Sequence, residues 1–114
     1  LGRPAMHTGI DFRAATGDPA RATAGGTIIT AEYSGGYGNM VEIDHGNGVT
    51  TRFGHLSRID VAVGQVVAAG AVVGLAGSTG RSTGPHIHYE VRIDGSAIDP
   101  MIYVRAGNEI APYL

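Results

Sequence analysis

Glycine is spread along this chain in a way that favours short structural elements. The sequence has 19 glycines in 114 residues, more than twice the average frequency of about 7%, and they follow no collagen-like period. Gly and Asn cluster at residues 35–39 and 46–48, and Asp and Gly meet at Asp94-Gly95. These residue types accept the positive φ that tight hairpin turns need. Antiparallel strands joined by short turns are therefore the expected building units.

Apolar and polar residues alternate in the stretches between these turns. The alternation covers residues 27–33, 40–44 and 86–93, and a period of two is typical of strands with one buried face. In the last stretch, one face is made up of Ile87, Tyr89, Val91 and Ile93. Residues 63–67 and 69–74 are two similar pieces, each a Gly turn followed by β-branched residues. They predict two short strands folded back on each other.

Helical signals are almost absent. No apolar pattern of 3.6-residue period runs for three turns, and the best helical candidate is residues 101–105, after Asp99-Pro100. The sequence thus predicts an all-β fold, a compact and mainly antiparallel β-sheet or sandwich with at most one short helical turn. A length of 114 residues fits one domain, because domains cluster at about 100–150 residues. We expect residues 1–114 to form a single unit, with residues 105–114 as its C-terminal tail.

Charge and composition exclude several classes of function. Eight basic and ten acidic residues give a net charge of −2, so the chain lacks the basic field that attracts nucleic acid or anionic lipid. All eight basic residues are Arg, and a chain without Lys forms no Schiff base and carries no biotin or lipoyl group. The absence of Cys excludes disulfides and thiolate ligands. No apolar run approaches the roughly 20 residues of a membrane span.

Four of the five histidines stand in settings that suggest shared use. His7 and Asp11 are four positions apart, which on an extended chain places both on one face. His86 and His88 are separated by one residue, so a strand projects both to the same side. Two imidazoles and one carboxylate, with water in a fourth position, form the ligand set of catalytic zinc. Either pair taken alone is more often a hydrogen-bonded structural pair than a metal site.

The fourth of these histidines, His55, lies in Gly54-His55-Leu56-Ser57. His45 precedes the glycine turn at residues 46–48, and we interpret it as a surface or turn-stabilising residue rather than a ligand.

Taken together, the motifs resemble a known family, the lysostaphin-type, LytM-like zinc endopeptidases of bacterial peptidoglycan. The motifs are His7-x-Gly9-x-Asp11, residues 43–48, Gly54-His55-Leu56-Ser57, residues 77–90 ending in His86-Ile87-His88-Tyr89-Glu90, and Asp99-Pro100. The resemblance runs from about residue 7 to residue 104. It implies a mainly antiparallel β fold with a narrow groove.

The resemblance also implies a site and a role for each member. One zinc per chain would be held by His7, Asp11 and His88, with water as the fourth ligand. His86 would be the general base, and His55 a second catalytic imidazole that orients the water or stabilises the oxyanion. We expect the polar loop before the histidine pair to wall the groove or to support the rings. That loop contains Ser78, Thr79, Ser82 and Thr83.

The implied substrate is a peptide cross-link of peptidoglycan. The site of action is then outside the bacterial cytoplasm: periplasmic, envelope-attached or secreted. Residues 1–7 lack the charged start and apolar middle of a signal peptide, so we expect the targeting segment to lie outside this sequence. Whether the bond lies in a glycine bridge or between D-amino acids is left open, as is the oligomeric state.

Three alternatives compete with the hydrolase interpretation. A non-catalytic relative that activates other cell-wall hydrolases would have lost metal ligands, whereas all five expected site residues are present here. A biotinyl or lipoyl carrier would fit the repeats within residues 63–74, but the chain has no Lys. A phosphocarrier would fit residues 7–11, yet it leaves the block at residues 80–90 without a purpose.

Overall fold

The computed structural model describes residues 9–99, and strands dominate that part of the chain. The only helical element among these residues is a 3-10 turn, Gly35–Tyr37, so the prediction of an all-β fold is confirmed. No helix within residues 9–99 is long and apolar enough to cross a membrane. The strands are β1 Ile10–Arg13, β2 Pro19–Arg21, β3 Gly26–Tyr33, β4 Asn39–Gly46, β5 Val49–Ile59, β6 Val66–Val67, β7 Val72–Ala76, β8 His86–Ile93 and β9 Ser96–Ile98.

The strands form one open sheet in which every pairing is antiparallel. The main order is β1-β8-β5-β4-β3-β6, while β7 pairs with both β2 and β5, and β9 pairs with β8. The longest strand, β5, pairs with β8 from Val49 to Gly54 and with β7 from Leu56 onward. It therefore changes partner at His55, which lies between the two ladders.

One local prediction was wrong, and another falls outside the described residues. Strands β6 and β7 do arise from residues 63–74, but they do not pair with each other: β6 pairs with β3, and β7 with β2 and β5. The residues just before β6 and β7 also bond to distant parts of the chain. The Ile28 amide donates to the Gln65 carbonyl, and the Ala22 amide donates to the Ala71 carbonyl. The similarity of the two pieces gave no information on these long-range partners. The helical candidate at residues 101–105 lies outside the described residues.

Alternating residues separate a dry face of the sheet from a polar one. On β8, Tyr89 and Val91 are fully buried and Ile87 packs against the core, as the alternation predicts. The rings of Tyr89 and Phe53 meet edge to face at 5.3 Å, and each buried side chain of this size contributes about 1.5–3 kcal/mol. The intervening residues of β8, including His86, His88 and Glu90, therefore point to the opposite face.

Candidate active site

The polar face of the sheet brings together four of the five predicted site residues. Asp11 comes from β1, His55 from β5, and His86 and His88 from β8. Asp11 lies directly opposite His88 in the β1–β8 register, which explains how residues 77 positions apart meet. The fifth predicted residue, His7, lies outside the described residues.

Asp11 and His88 form the closest pair of candidate ligands. The Oδ1 atom of Asp11 is 2.8 Å from Nδ1 of His88, and the Asp11 side chain is half exposed. Nε2 of His88 is 2.9 Å from Oε2 of Glu90. Burial by itself would lower the pKa of His88, but its hydrogen bonds to the two carboxylates outweigh burial and raise that pKa. One ring nitrogen thus faces the buried protein and the other faces an open carboxylate.

Glu90 is a buried carboxylate that the sequence did not identify as functional. Only 1% of its side chain is exposed, and Oε2 accepts hydrogen bonds from His88 and, at 2.8 Å, from Tyr37. Arg92 donates to Oε1 at 2.8 Å. Burial would raise the pKa of Glu90, but these three donors lower it overall. The available signal was spacing, because Glu90 lies two residues from His88 and so shares its face.

His55 and His86 present the same nitrogen to the site. Nδ1 of His55 is 2.7 Å from the carbonyl of Thr79, and Nδ1 of His86 is 2.8 Å from the carbonyl of Gly84. A carbonyl oxygen only accepts, so in each ring Nδ1 carries the proton and, in the neutral form, Nε2 keeps a lone pair. The two rings are 4.8 Å apart, and Nε2 of His86 is 3.5 Å from Oδ1 of Asp11.

The protonation of His55 follows from its surroundings. Burial is the largest cause that lowers the pKa of His55, and the neighbouring imidazoles act in the same direction. The hydrogen bond to Thr79 opposes them without reversing the shift. The ring is therefore held in its neutral form near pH 7, with Nε2 as an acceptor.

The backbone is adapted to this crowding at two points. His55 has φ 63°, an unusual conformation for a residue other than Gly, and it sits where β5 leaves β8 for β7. Gly9 has φ 151°, and a Cβ there would overlap the carbonyl of Tyr89 and approach Cγ of Glu90 to 2.8 Å. The glycine of the His7-x-Gly9-x-Asp11 motif thus lets β1 lie against β8.

The described donors fit a divalent cation of the zinc type. An imidazole nitrogen and a carboxylate oxygen point at each other, and Glu90 holds the far side of the ring, an arrangement common behind zinc-bound histidines. Within residues 9–99 no set of three or more His, Cys, Asp or Glu side chains is arranged to hold a metal ion.

The other histidine and the polar loop also have definite places. His45 bonds to the carbonyl of Gly25 at 2.7 Å and to the Thr51 hydroxyl at 2.8 Å, in keeping with a structural role. In the loop, Thr79 supports His55, and the Ser82 hydroxyl lies 3.4 Å from Nδ1 of His86. Both contacts agree with the expectation that this loop supports the rings.

Known proteins match this chain in sequence and in structure. The family model described as Peptidase family M23 matches residues 5–100. The DD-carboxypeptidase/endopeptidase Mpg of Neisseria meningitidis is 53% identical over 96 residues, which are 84% of this chain and 22% of that protein. The catalytic domain of the antimicrobial peptidase lysostaphin from Staphylococcus simulans superposes with a TM-score of 0.83, at 37% identity over 92% of this chain and 84% of that chain. A zinc-containing peptidase from Vibrio cholerae has a TM-score of 0.80, at 40% identity over 83% of this chain and 29% of that chain.

Proposed function

This chain belongs to peptidase family M23, and from that premise we propose that it is a zinc-dependent endopeptidase that hydrolyses peptide cross-links of bacterial peptidoglycan. The lysostaphin-type resemblance is confirmed. The chain spans 22% of the length of Mpg. The observation that carries the proposal is the convergence of Asp11, His55, His86 and His88 on one polar face.

We infer that one zinc per chain is held by His7, Asp11 and His88. The supporting observation is the 2.8 Å approach of Asp11 Oδ1 to His88 Nδ1, with Glu90 holding the opposite nitrogen. When bound, zinc supplies a Lewis acid that polarises the scissile carbonyl and makes water more acidic. The zinc-containing relative from Vibrio cholerae supports the choice of metal.

His86 is assigned as the general base. Its Nδ1 proton is engaged by the Gly84 carbonyl, so Nε2 is the nitrogen that can take a proton from the attacking water. The water oxygen bonds to the carbonyl carbon, the C–N bond of the peptide breaks, and His86 returns the proton to the leaving amine. The side chain is 19% exposed, which gives water and substrate access to it.

His55 is assigned as the residue that orients the attacking water. Its neutral ring presents Nε2 as an acceptor, because Nδ1–H is bonded to Thr79 and burial lowers the pKa of the ring. An acceptor can hold one water proton and so direct the oxygen lone pair toward the carbonyl carbon. Of the two roles implied for His55, this geometry favours orienting water over donating to an oxyanion.

The relatives support a proposal for the substrate and the site of action. Mpg is named a DD-carboxypeptidase/endopeptidase, and bonds between two D-residues are a feature of peptidoglycan stems. We therefore favour a D-amino-acid cross-link over a glycine bridge, and a site of action outside the cytoplasm. A regulator without activity is disfavoured, because Asp11, His86 and His88 all remain in place.

Digestion of defined muropeptides tests the proposal. The zinc-loaded protein is incubated with a dimer joined through D-amino acids and with a dimer joined through a glycine bridge, and the products are identified by mass spectrometry. We expect hydrolysis of the first dimer, a rate lower by about 10²–10⁴ with His86→Ala, and wild-type rates with His45→Ala as the matched control. Binding of either dimer without any hydrolysis would refute the enzymatic proposal.

A further inference from the structure

One short turn, far in sequence from the site histidines, touches the supports of two of them. We call residues 35–39 the 35–39 turn; it includes the 3-10 turn Gly35–Tyr37 and joins β3 to β4. Its first contact is through Tyr37, whose hydroxyl donates to Oε2 of Glu90 at 2.8 Å. The same Oε2 atom accepts the Nε2 proton of His88 at 2.9 Å. Tyr37 therefore acts on the atom that orients His88.

Tyr37 is itself fixed from two sides. Arg52 donates to its hydroxyl at 3.1 Å and lies over its ring at 5.5 Å, while Glu42 pairs with Arg52 at 3.2 Å. The Tyr37 ring also lies 5.9 Å from the ring of His88. Residue 54 is Gly, where a Cβ would stand 3.2 Å from Cδ1 of Tyr37. The absence of a side chain there leaves room for the Tyr37 ring.

The second contact of the 35–39 turn reaches His55 through the polar loop. The backbone amide of Asn39 donates to the Thr79 hydroxyl at 3.1 Å, and that hydroxyl donates to the Leu56 carbonyl at 2.6 Å. The Thr79 carbonyl in turn accepts the Nδ1 proton of His55 at 2.7 Å. The Thr79 hydroxyl thus fixes the residue whose carbonyl sets the tautomer of His55.

The turn and the loop are packed backbone to backbone. A Cβ at Gly38 would overlap Thr79, and a Cβ at Gly80 would overlap Gly38. The Arg81 amide donates to the Gly36 carbonyl at 2.9 Å. The approach leaves the loop little freedom to move relative to the turn.

We infer that the 35–39 turn orients two imidazoles at once, with Tyr37 a positioning residue for metal binding by His88 and Thr79 a positioning residue for His55. Tyr37 acts through Glu90, which keeps Nε2 of His88 protonated and leaves Nδ1 to the metal. Thr79 acts through its carbonyl, which keeps Nε2 of His55 free as an acceptor. Both branches rest on the proposed function, the Tyr37 branch on its zinc site alone and the Thr79 branch on its hydrolytic step.

Zinc affinity tests the Tyr37 branch. Competition with a chromophoric chelator is measured for wild type, Tyr37→Phe, Glu90→Gln and the control Tyr33→Phe, whose side chain is exposed on β3. We expect affinity to fall by roughly 10- to 100-fold for Glu90→Gln and by roughly 3- to 10-fold for Tyr37→Phe, with Tyr33→Phe unchanged. Equal affinity of Tyr37→Phe and wild type would overturn this branch even if Glu90→Gln failed to fold.

The Thr79 branch is tested with Thr79→Val and Thr79→Ser. We expect Thr79→Val to lower kcat by roughly 10- to 100-fold with zinc affinity unchanged, and Thr79→Ser to restore most of it, because Ser keeps the hydroxyl. The nitrogen NMR signals of His55 should show a single Nδ1–H tautomer in wild type and a mixture in Thr79→Val.

Two outcomes separate this inference from the proposed function. A lower melting temperature for Thr79→Val with an unchanged His55 tautomer would mean that Thr79 is merely structural, and would overturn its branch. If the wild type hydrolyses no muropeptide, the proposed function fails, whereas the zinc affinities and the His55 tautomer still decide whether the turn positions the two rings.

Discussion

Removing His88 and removing His86 should have different consequences, although the two rings are one residue apart on β8. His88→Ala deletes a proposed zinc ligand and takes one of three donors from Glu90, which is 1% exposed. Loss of the hydrogen bond from His88 to this buried carboxylate should lower the free energy of unfolding by about 1–3 kcal/mol even without metal. The stabilisation by bound zinc, about 2.7 kcal/mol at a hundredfold excess over Kd, should be lost as well. The variant should therefore melt lower and lose zinc and activity together.

His86→Ala should instead leave the metal in place. The Asp11–His88 pair at 2.8 Å is untouched, and the variant loses mainly the bond to the Gly84 carbonyl, worth about 0.5–1.5 kcal/mol. Loss of a general base lowers kcat by about 10²–10⁴, equivalent to roughly 2.7–5.5 kcal/mol of transition-state stabilisation. The melting temperature in the presence of zinc should stay near that of wild type.

The assay compares zinc content, melting temperature and muropeptide turnover in both variants and in His45→Ala. His45 contacts Gly25 and Thr51 rather than the site, so His45→Ala controls for the loss of a hydrogen-bonded imidazole. If His86→Ala lost zinc and His88→Ala retained it, the ligand assignment would be reversed. If both variants kept zinc and turnover, neither ring would serve the reaction.

Three further results are expected. Chelation should abolish hydrolysis and lower the melting temperature, and added zinc should restore both; hydrolysis that persists after complete metal removal, checked by elemental analysis, would contradict a metal-dependent reaction. Gly9→Ala should destabilise the fold by about 1–3 kcal/mol and weaken zinc binding in a chelator-competition titration, because its Cβ would overlap Tyr89. Gly17 also has a positive φ but has open space around it, so Gly17→Ala should leave zinc affinity unchanged in that titration. In denaturant unfolding, Leu56→Ala, fully buried, should cost about 2–5 kcal/mol, while Val63→Ala, 66% exposed, should change stability by less than about 0.5 kcal/mol.

Local pattern was enough to predict the strands that have one dry face, and long-range register accounts for what was missed. Strand β8 begins and ends where the alternation does. Strand β5 was not predicted, because Gly54 and His55 interrupt its pattern at the point where it changes partners. The partners of β6 and β7 lie on β3, β2 and β5, between 15 and 56 positions away. Such pairings follow from the packing of the whole sheet and not from the residues of either strand.

The same division applies to the site. Asp11, His55, His86 and His88 carry chemistry in their residue types, so the sequence could nominate them and the sheet brings them together. Tyr37 could not be nominated, since its only local feature is a glycine-rich turn. The role that we infer for Tyr37 depends on Glu90, which lies on β8, two strands away from β4 in the sheet. Residues that act through other residues are visible only once the register of the sheet is known.

The pairing of Asp11 with His88 across 77 positions also constrains the order in which this chain can fold. Joining the ends of a loop that long costs about 4 kcal/mol in chain entropy, and among residues 9–99 β8 is the one strand that pairs with β1. The ribosome must therefore synthesise the chain as far as β8 before Asp11 and His88 can meet. A chain that stops before β8 would lack the strand that pairs with β1 and places His88 beside Asp11.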